Sequence, residues 1–117
     1  MSVKINSDNG YINIDEQVVA TLSGMAAIEC YGIVGMAAKS ATEGFFELAR
    51  KEQLTKGVKV TLKENSVIID LFVIVQYGVR ISTVAENIIA KVKYNIEKYT
   101  GLAVKSVNVH VQGVRVQ

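Results

Sequence analysis

The chain has no proline and no tryptophan, and it carries one cysteine and one histidine in 117 residues. Each scarcity closes a route. With a single thiol, Cys30, no disulfide can form within the chain. A zinc site needs about four nitrogen, sulfur or carboxylate ligands, and one Cys with one His is a poor supply. Asp8, Asp15 and Asp70 do not have the spacing of a calcium loop, so neither a metal nor any other cofactor is expected. Thirteen basic residues against eleven acidic ones leave a net charge of +2. That is too small to point to nucleic acid or an anionic membrane surface. Long apolar runs are also missing. Leu71 to Val79, nine uncharged residues, falls well short of the roughly 20 that span a bilayer as a helix. The opening MSVKINSDNG lacks the apolar core of a signal peptide, so the expected compartment is the cytoplasm, with no direct membrane span.

What is present is apolar and strongly patterned. Half of the residues are hydrophobic, enough to build one core, and residues 1–117 are expected to form a single domain. The densest stretch is VIIDLFVIVQY, Val67 to Tyr77. All its odd positions are apolar, and the even ones add Ile68, Phe72 and Ile74 beside Asp70 and Gln76. Strand side chains alternate between faces, so this is a central strand, greasy on one face and largely greasy on the other.

Around it the chain reads as strand, helix, short strand, helical loop, hairpin, helix, strand. Tyr11 to Ile14 is a strand preceded by the turn signal Asn9-Gly10. Asp15 caps a helix from Glu16 to Tyr31 whose apolar stripe is Val18, Leu22, Met25 and Ile28, and Gly32 stops it. Its many small residues, Gly24 among them, point to close approach by a sheet or a second helix. Ile33 to Ala37 is a short irregular strand. Ser40 to Glu43 offers a capping box for a short helix around Phe45. Val58, Val60 and Leu62 alternate with Lys59, Thr61 and Lys63. A turn at Glu64-Asn65, or a four-residue loop of Lys63 to Ser66, then sets Leu62 opposite Val67, Val60 opposite Ile69, Val58 opposite Leu71 and Lys59 opposite Asp70. A helix opened by Ser82 or the capping box Thr83 to Glu86 buries Ile81, Ala85, Ile88, Val92, Ile96 and Tyr99 and closes at Gly101. In the last strand, Ala103 to Val111, the valines 107, 109 and 111 share one face and Ser106, Asn108 and His110 the other. The sum is an α+β two-layer sandwich: a mostly antiparallel sheet of three or four strands with two main helices on one face.

The sheet face left over carries Ile68, Phe72 and Ile74 beside Asn108 and His110. Open apolar surface of this kind marks an interface, unless the segment around Phe45 folds over it. An enzyme is not expected, because Cys30 belongs to the covered side and His110 to the opposite face, out of mutual reach. Gly32-Ile33-Val34-Gly35 lacks the lysine of a phosphate-binding loop. It does leave one alternative open, a KH-like module for single-stranded RNA, in which a GxxG loop clamps the nucleic-acid backbone.

The segment Tyr77 to Val114, with Tyr77-Gly78-Val79, Thr100-Gly101-Leu102 and Val107-Asn108-Val109-His110-Val111, resembles the end of the alkaline shock protein family, bacterial envelope stress response proteins found mostly in Gram-positive organisms. GYINIDEQVV from Gly10, Tyr31 to Met36 and LTKGVKV from Leu54 extend the resemblance over nearly the whole chain. Family members often carry a proline early in each main helix, where this chain has Glu16 and Thr83. The resemblance implies a non-enzymatic cytoplasmic protein that self-associates and gathers at the inner face of the membrane through a membrane-anchor protein. It also implies similarity to a shorter branch, without long charged tails, encoded beside a dihydroxyacetone-kinase-like protein of lipid metabolism.

Overall fold

The structure, a computed structural model, describes residues 2–37, 55–63 and 65–116. Its elements are β1 (Ser2–Ser7), β2 (Gly10–Asp15), α1 (Glu16–Ile28), β3 (Ile33–Met36), a 3-10 turn (Thr55–Gly57), β4 (Val58–Lys63), β5 (Ser66–Gln76), α2 (Ile81–Thr100) and β6 (Ala103–Arg115). This is the α+β arrangement that the patterning predicts, with a four-stranded sheet covered on one face by both helices. The sequence pattern did not single out β1, which pairs with β2 in a separate two-stranded sheet. The helix expected around Phe45 lies outside the described residues.

β5 is the centre of the sheet. β6 runs parallel to it along its whole length, from Ser66 opposite Ala103 to Gln76 opposite Arg115. The other edge is shared by two antiparallel strands in succession. β4 takes the first half in the register expected from alternation, Leu62 on Val67, Val60 on Ile69, Val58 on Leu71 and Lys59 on Asp70. β3 takes the second half, with Met36 on Val73 and Ile33 on Val75 around a register shift. The two abut at Phe72, whose carbonyl accepts from Ala37 N at 2.8 Å. Gly57 sits in that seam: a Cβ there would stand 2.7 Å from Ala37 O and 2.9 Å from Phe72 O. Only glycine fits between two such carbonyls.

The core lies between sheet and helices. Val67, Ile69, Leu71, Val73 and Val75 are all but fully buried, packed with Val84, Ile88, Val92 and Ile96 of α2. Burial of each such side chain is worth about 1.5–3 kcal/mol. Tyr77, which extends the apolar alternation in sequence, lies beyond the end of β5 and is exposed.

α1 departs from the apolar stripe expected of it, whereas α2 keeps Ile88, Val92 and Ile96 inside and departs only at its two ends. In α1, Asp15 is the N-cap, its Oδ1 accepting from Gln17 N at 2.9 Å. The buried positions, however, are Val19, Ala20, Ser23, Gly24, Ala26 and Ala27, while Val18 and Met25 are more than 40% exposed. The physical reason is depth. α1 packs against α2 and the sheet together, and small side chains let helix axes approach toward the short end of the usual 8–10 Å range. α1 also stops at Ile28, before Tyr31. α2 begins at Ile81, two residues ahead of the expected capping box, with Arg80 as a cap that makes no side-chain bond. Val84 is buried, whereas Ile81 and Tyr99 are exposed. Its C-terminus is as expected: Gly101 at φ 79° donates to Glu97 O at 3.1 Å. Thr100 Oγ1 accepts from Leu102 N, and Glu97 Oε2 from Val104 N, each at 3.1 Å. Thr100-Gly101-Leu102 is therefore the hinge that delivers β6 to the sheet.

Candidate functional site

Alternation along β5 turns Ile68, Asp70, Phe72 and Ile74 away from the helices, and the parallel register places Ser106, Asn108, His110 and Gly113 beside them in that order. The five residues singled out from sequence, Ile68, Phe72, Ile74, Asn108 and His110, thus come together on one sheet face. They differ in access. Ile68, Phe72 and His110 are half-buried, Asn108 is exposed and Ile74 is 8% exposed. Apolar surface on this face therefore comes from Ile68 and Phe72.

The centre of the face is a bonded cluster. The rings of Phe72 and His110 stack with centroids 4.5 Å apart and planes 11° from parallel, a contact worth on the order of 1 kcal/mol beyond the area it buries. Asp70 Oδ1 accepts from Asn108 Nδ2 at 3.0 Å and pairs with His110 Nε2 at 3.1 Å. Burial alone would raise the Asp70 carboxyl, but the hydrogen bonds from His110 and Asn108, with the charges of His110 and Lys59, hold it below its ordinary value. Pattern reasoning assigned Asp70 only a partner across the hairpin, Lys59. The structure makes it the group that fixes both polar side chains of the surface. The signal was available, since residue 70 shares the face of Phe72 by a spacing of two.

The arrangement offers little for covalent chemistry. Cys30 Sγ, just past α1, donates to Ala26 O at 3.4 Å. Burial and the neighbouring Glu29 carboxylate raise its pKa against the opposing effect of Lys91, which favours the unreactive thiol. His110 lies across the sheet from it. Among the described residues no three His, Cys, Asp or Glu side chains cluster as metal ligands do, and no helix is long and apolar enough to cross a membrane. Gly32-Ile33-Val34-Gly35 is built into the sheet, with both glycines buried and Ile33 opening β3.

Comparison with known proteins gives a consistent picture. Residues 4–116 match the model of the alkaline shock protein 23 family, described by its cell envelope-related function. The chain is 47% identical over 117 residues to YloU of Bacillus subtilis, a protein of no stated function, covering 99% of this chain and 98% of that one. It is 31% identical over 106 residues to YqhY of the same organism, covering 91% and 78%. A protein of Streptococcus pyogenes named as a homologue of the stress response regulator gls24 is 26% identical over 111 residues, covering 91% of this chain and 59% of its own length. No solved structure matches the chain at a significant level.

Proposed function

Because the chain belongs to the alkaline shock protein 23 family of cell envelope-related proteins, we propose that it is a non-enzymatic interaction module of the envelope stress response. In this reading the whole chain acts as one domain in the cytoplasm. It uses the sheet face around Ile68, Phe72, Asn108 and His110, with Ile74 buried beside them, to bind another copy of itself and a partner at the inner face of the membrane, either a membrane-anchor protein or a kinase-like protein of lipid metabolism. One observation carries the reading. An aromatic ring is left half-buried on the face away from both helices, stacked on His110 and framed by an Asp70 network that holds the polar groups still. A preorganised aromatic centre with a polar surround is the anatomy of an interface hot spot. The stress-regulator name of a relative at 26% identity adds support at the level of the process.

The test is sedimentation of the protein and of Phe72→Asp over a range of concentrations, with the fold of each checked by circular dichroism. The expected result is a native protein whose mass rises with concentration and a folded variant that stays monomeric. Collapse of the variant would make Phe72 a core residue and misplace the surface. Equal association of both would remove this face from self-contact.

A further inference from the structure

β6 is an edge strand. Among the described residues it pairs only with β5, and no strand lies along its other side. Ala37 and Gly57 stand across β5 from it, at the seam of β3 and β4. A free edge presents a row of backbone N–H and C=O groups, which proteins blunt with brevity, proline or charge. β6 runs for 13 residues, and between Lys105 and Arg115 it has no proline and no ionisable side chain except His110. Its apolar side is also unfinished. Val109 and Val111 are only half-buried and Val114 is 48% exposed, although the β5 residues beside them are closed off. α1 lies over β3 and β4, and α2 over β6. Lys91 marks the α1 side of α2, where it meets Glu29 at 2.8 Å. Ile89, 36% exposed, is on the opposite flank, above the free edge. By strand and helix rise, Val109 and Ile89 are each about 17–20 Å from the turn at Gly101, so they stand at one height.

The edge is complementary to itself. Beside the core positions of β5 it sets Val104, Val107, Val109, Val111 and Val114. The register shifts, one between Val104 and Ser106 and one between Val111 and Gly113, make this row symmetric about Val109. A second copy laid antiparallel across a two-fold axis at Val109 therefore brings Val107 opposite Val111, Val104 opposite Val114 and Asn108 opposite His110. The exposed Val114 lands beside the covered Val104 of the other copy. The irregular pairs Lys105-Ser106 and Gln112-Gly113 also fall opposite each other, so the ladder stays in step. Lys105 and Arg115 meet Gly113 and Ala103, and no like charges are opposed. Ile89 faces Ile89 of the other copy across the axis. Pairing from Val104 to Val114 supplies about ten backbone hydrogen bonds, as many as a typical protein interface. We propose that two copies of this chain join edge to edge through β6 about a two-fold axis at Val109, making one sheet from the two four-stranded ones. The contact uses the same surface on both copies, so it closes as a dimer. It rests on the reading of the open face for the premise that a second copy binds, and Phe72 bears on it only through the ring of His110.

The test is sedimentation equilibrium of the full chain and of charge variants at one opposed pair, with each fold checked by circular dichroism. Gly113 is outside the positive-φ glycines, and a Cβ there would come no closer than 3.9 Å to Ile74, so the site accepts a side chain. Gly113→Lys sets an ammonium against Lys105 of the other copy twice per dimer and should weaken association about 2- to 30-fold. Gly113→Glu should strengthen it. In a Lys105→Glu background the order of the two should reverse, which a general effect of net charge does not produce. Val109→Cys in a Cys30→Ser background should give a disulfide-linked dimer under mild oxidation. Opposed residues of an antiparallel pair have Cα atoms about 4.5–5.5 Å apart, within disulfide range. The same change at Lys63 of β4 should give none. A monomer at all concentrations up to about 1 mM would overturn the proposal together with self-contact through the open face. A dimer lost in Phe72→Asp but indifferent to the charges at 105 and 113 would overturn the edge contact alone. The expected charge effects in a dimer that survives Phe72→Asp would uphold the edge and remove the open face from self-contact.

Discussion

Ser23 and Asp70 show how single side chains divide between stability and surface. Ser23 Oγ is fully buried in α1 without a hydrogen-bond partner among the described residues. An unsatisfied buried hydroxyl costs on the order of 1–3 kcal/mol, and alanine is also the better helix former. Ser23→Ala should therefore raise stability by roughly 1 kcal/mol in denaturant unfolding, and a loss of that size would mean that the hydroxyl is bonded. Asp70 works in the opposite direction. Folding holds its carboxyl below the ordinary 3.8, so its ionised form favours the folded state. That contribution is fully present above the unfolded value and is lost as the pH falls through the lower folded one. Chemical denaturation of the protein and of Asp70→Asn across pH should show a difference that closes as the pH falls through the acid range in which Asp70 protonates. A difference that grew in acid would reverse the assigned shift.

At the scale of elements, α1 gives the sharpest prediction. Val18→Ala and Met25→Ala remove side chains from exposed positions and should change stability by no more than about 0.5 kcal/mol. Ala27→Leu forces extra volume into a fully buried site and should cost about 1–3 kcal/mol or more. Thermal unfolding of the three variants checks both halves, and the reverse order would restore the stripe read from sequence. That stripe shows where sequence reasoning runs out. Hydrophobic spacing finds a buried helix face when large residues meet a single surface. In α1 the buried face is chosen by how near two neighbours come, so alanine, serine and glycine go inside while Val18 and Met25 stay out. The hairpin β4–β5 was legible to the residue because alternation along both strands leaves one register that puts the apolar faces together. The start of α2 was not, since Arg80 caps it without a side-chain bond and leaves the more conspicuous Ser82 and Thr83 inside the helix. That Ile68, Phe72, Ile74, Asn108 and His110 share one sheet face was legible through the period of two. Asp70 as their organiser was not, because a single carboxylate opposite Lys59 already had an explanation.

For the whole molecule, the parts differ in how firmly they are held. The β1–β2 hairpin pairs with no strand of the main sheet, and Tyr11 and Ile12 are more than half exposed on it. A two-stranded hairpin is marginal by itself in water. Its amides from Lys4 to Asn13 should exchange hydrogen through local opening, while those of β5 wait for global unfolding; equal protection in the two would show that the hairpin is anchored more firmly than its contacts indicate. Behind the sheet the helices form a closed core. In front of it the Phe72–His110 stack and its Asp70 frame leave an ordered, partly apolar surface, and the proposed role rests on what binds there. The most direct measurement is capture of proteins from gently solubilised source cells with a tagged copy of the chain and of Phe72→Asp, each with and without nuclease, read by mass spectrometry. The account predicts that a membrane-anchor protein or a kinase-like protein of lipid metabolism comes down with the native chain, resists nuclease and is lost with the variant. Capture that the substitution leaves unchanged, or that consists of RNA and ribosomal proteins removed by nuclease, would contradict it.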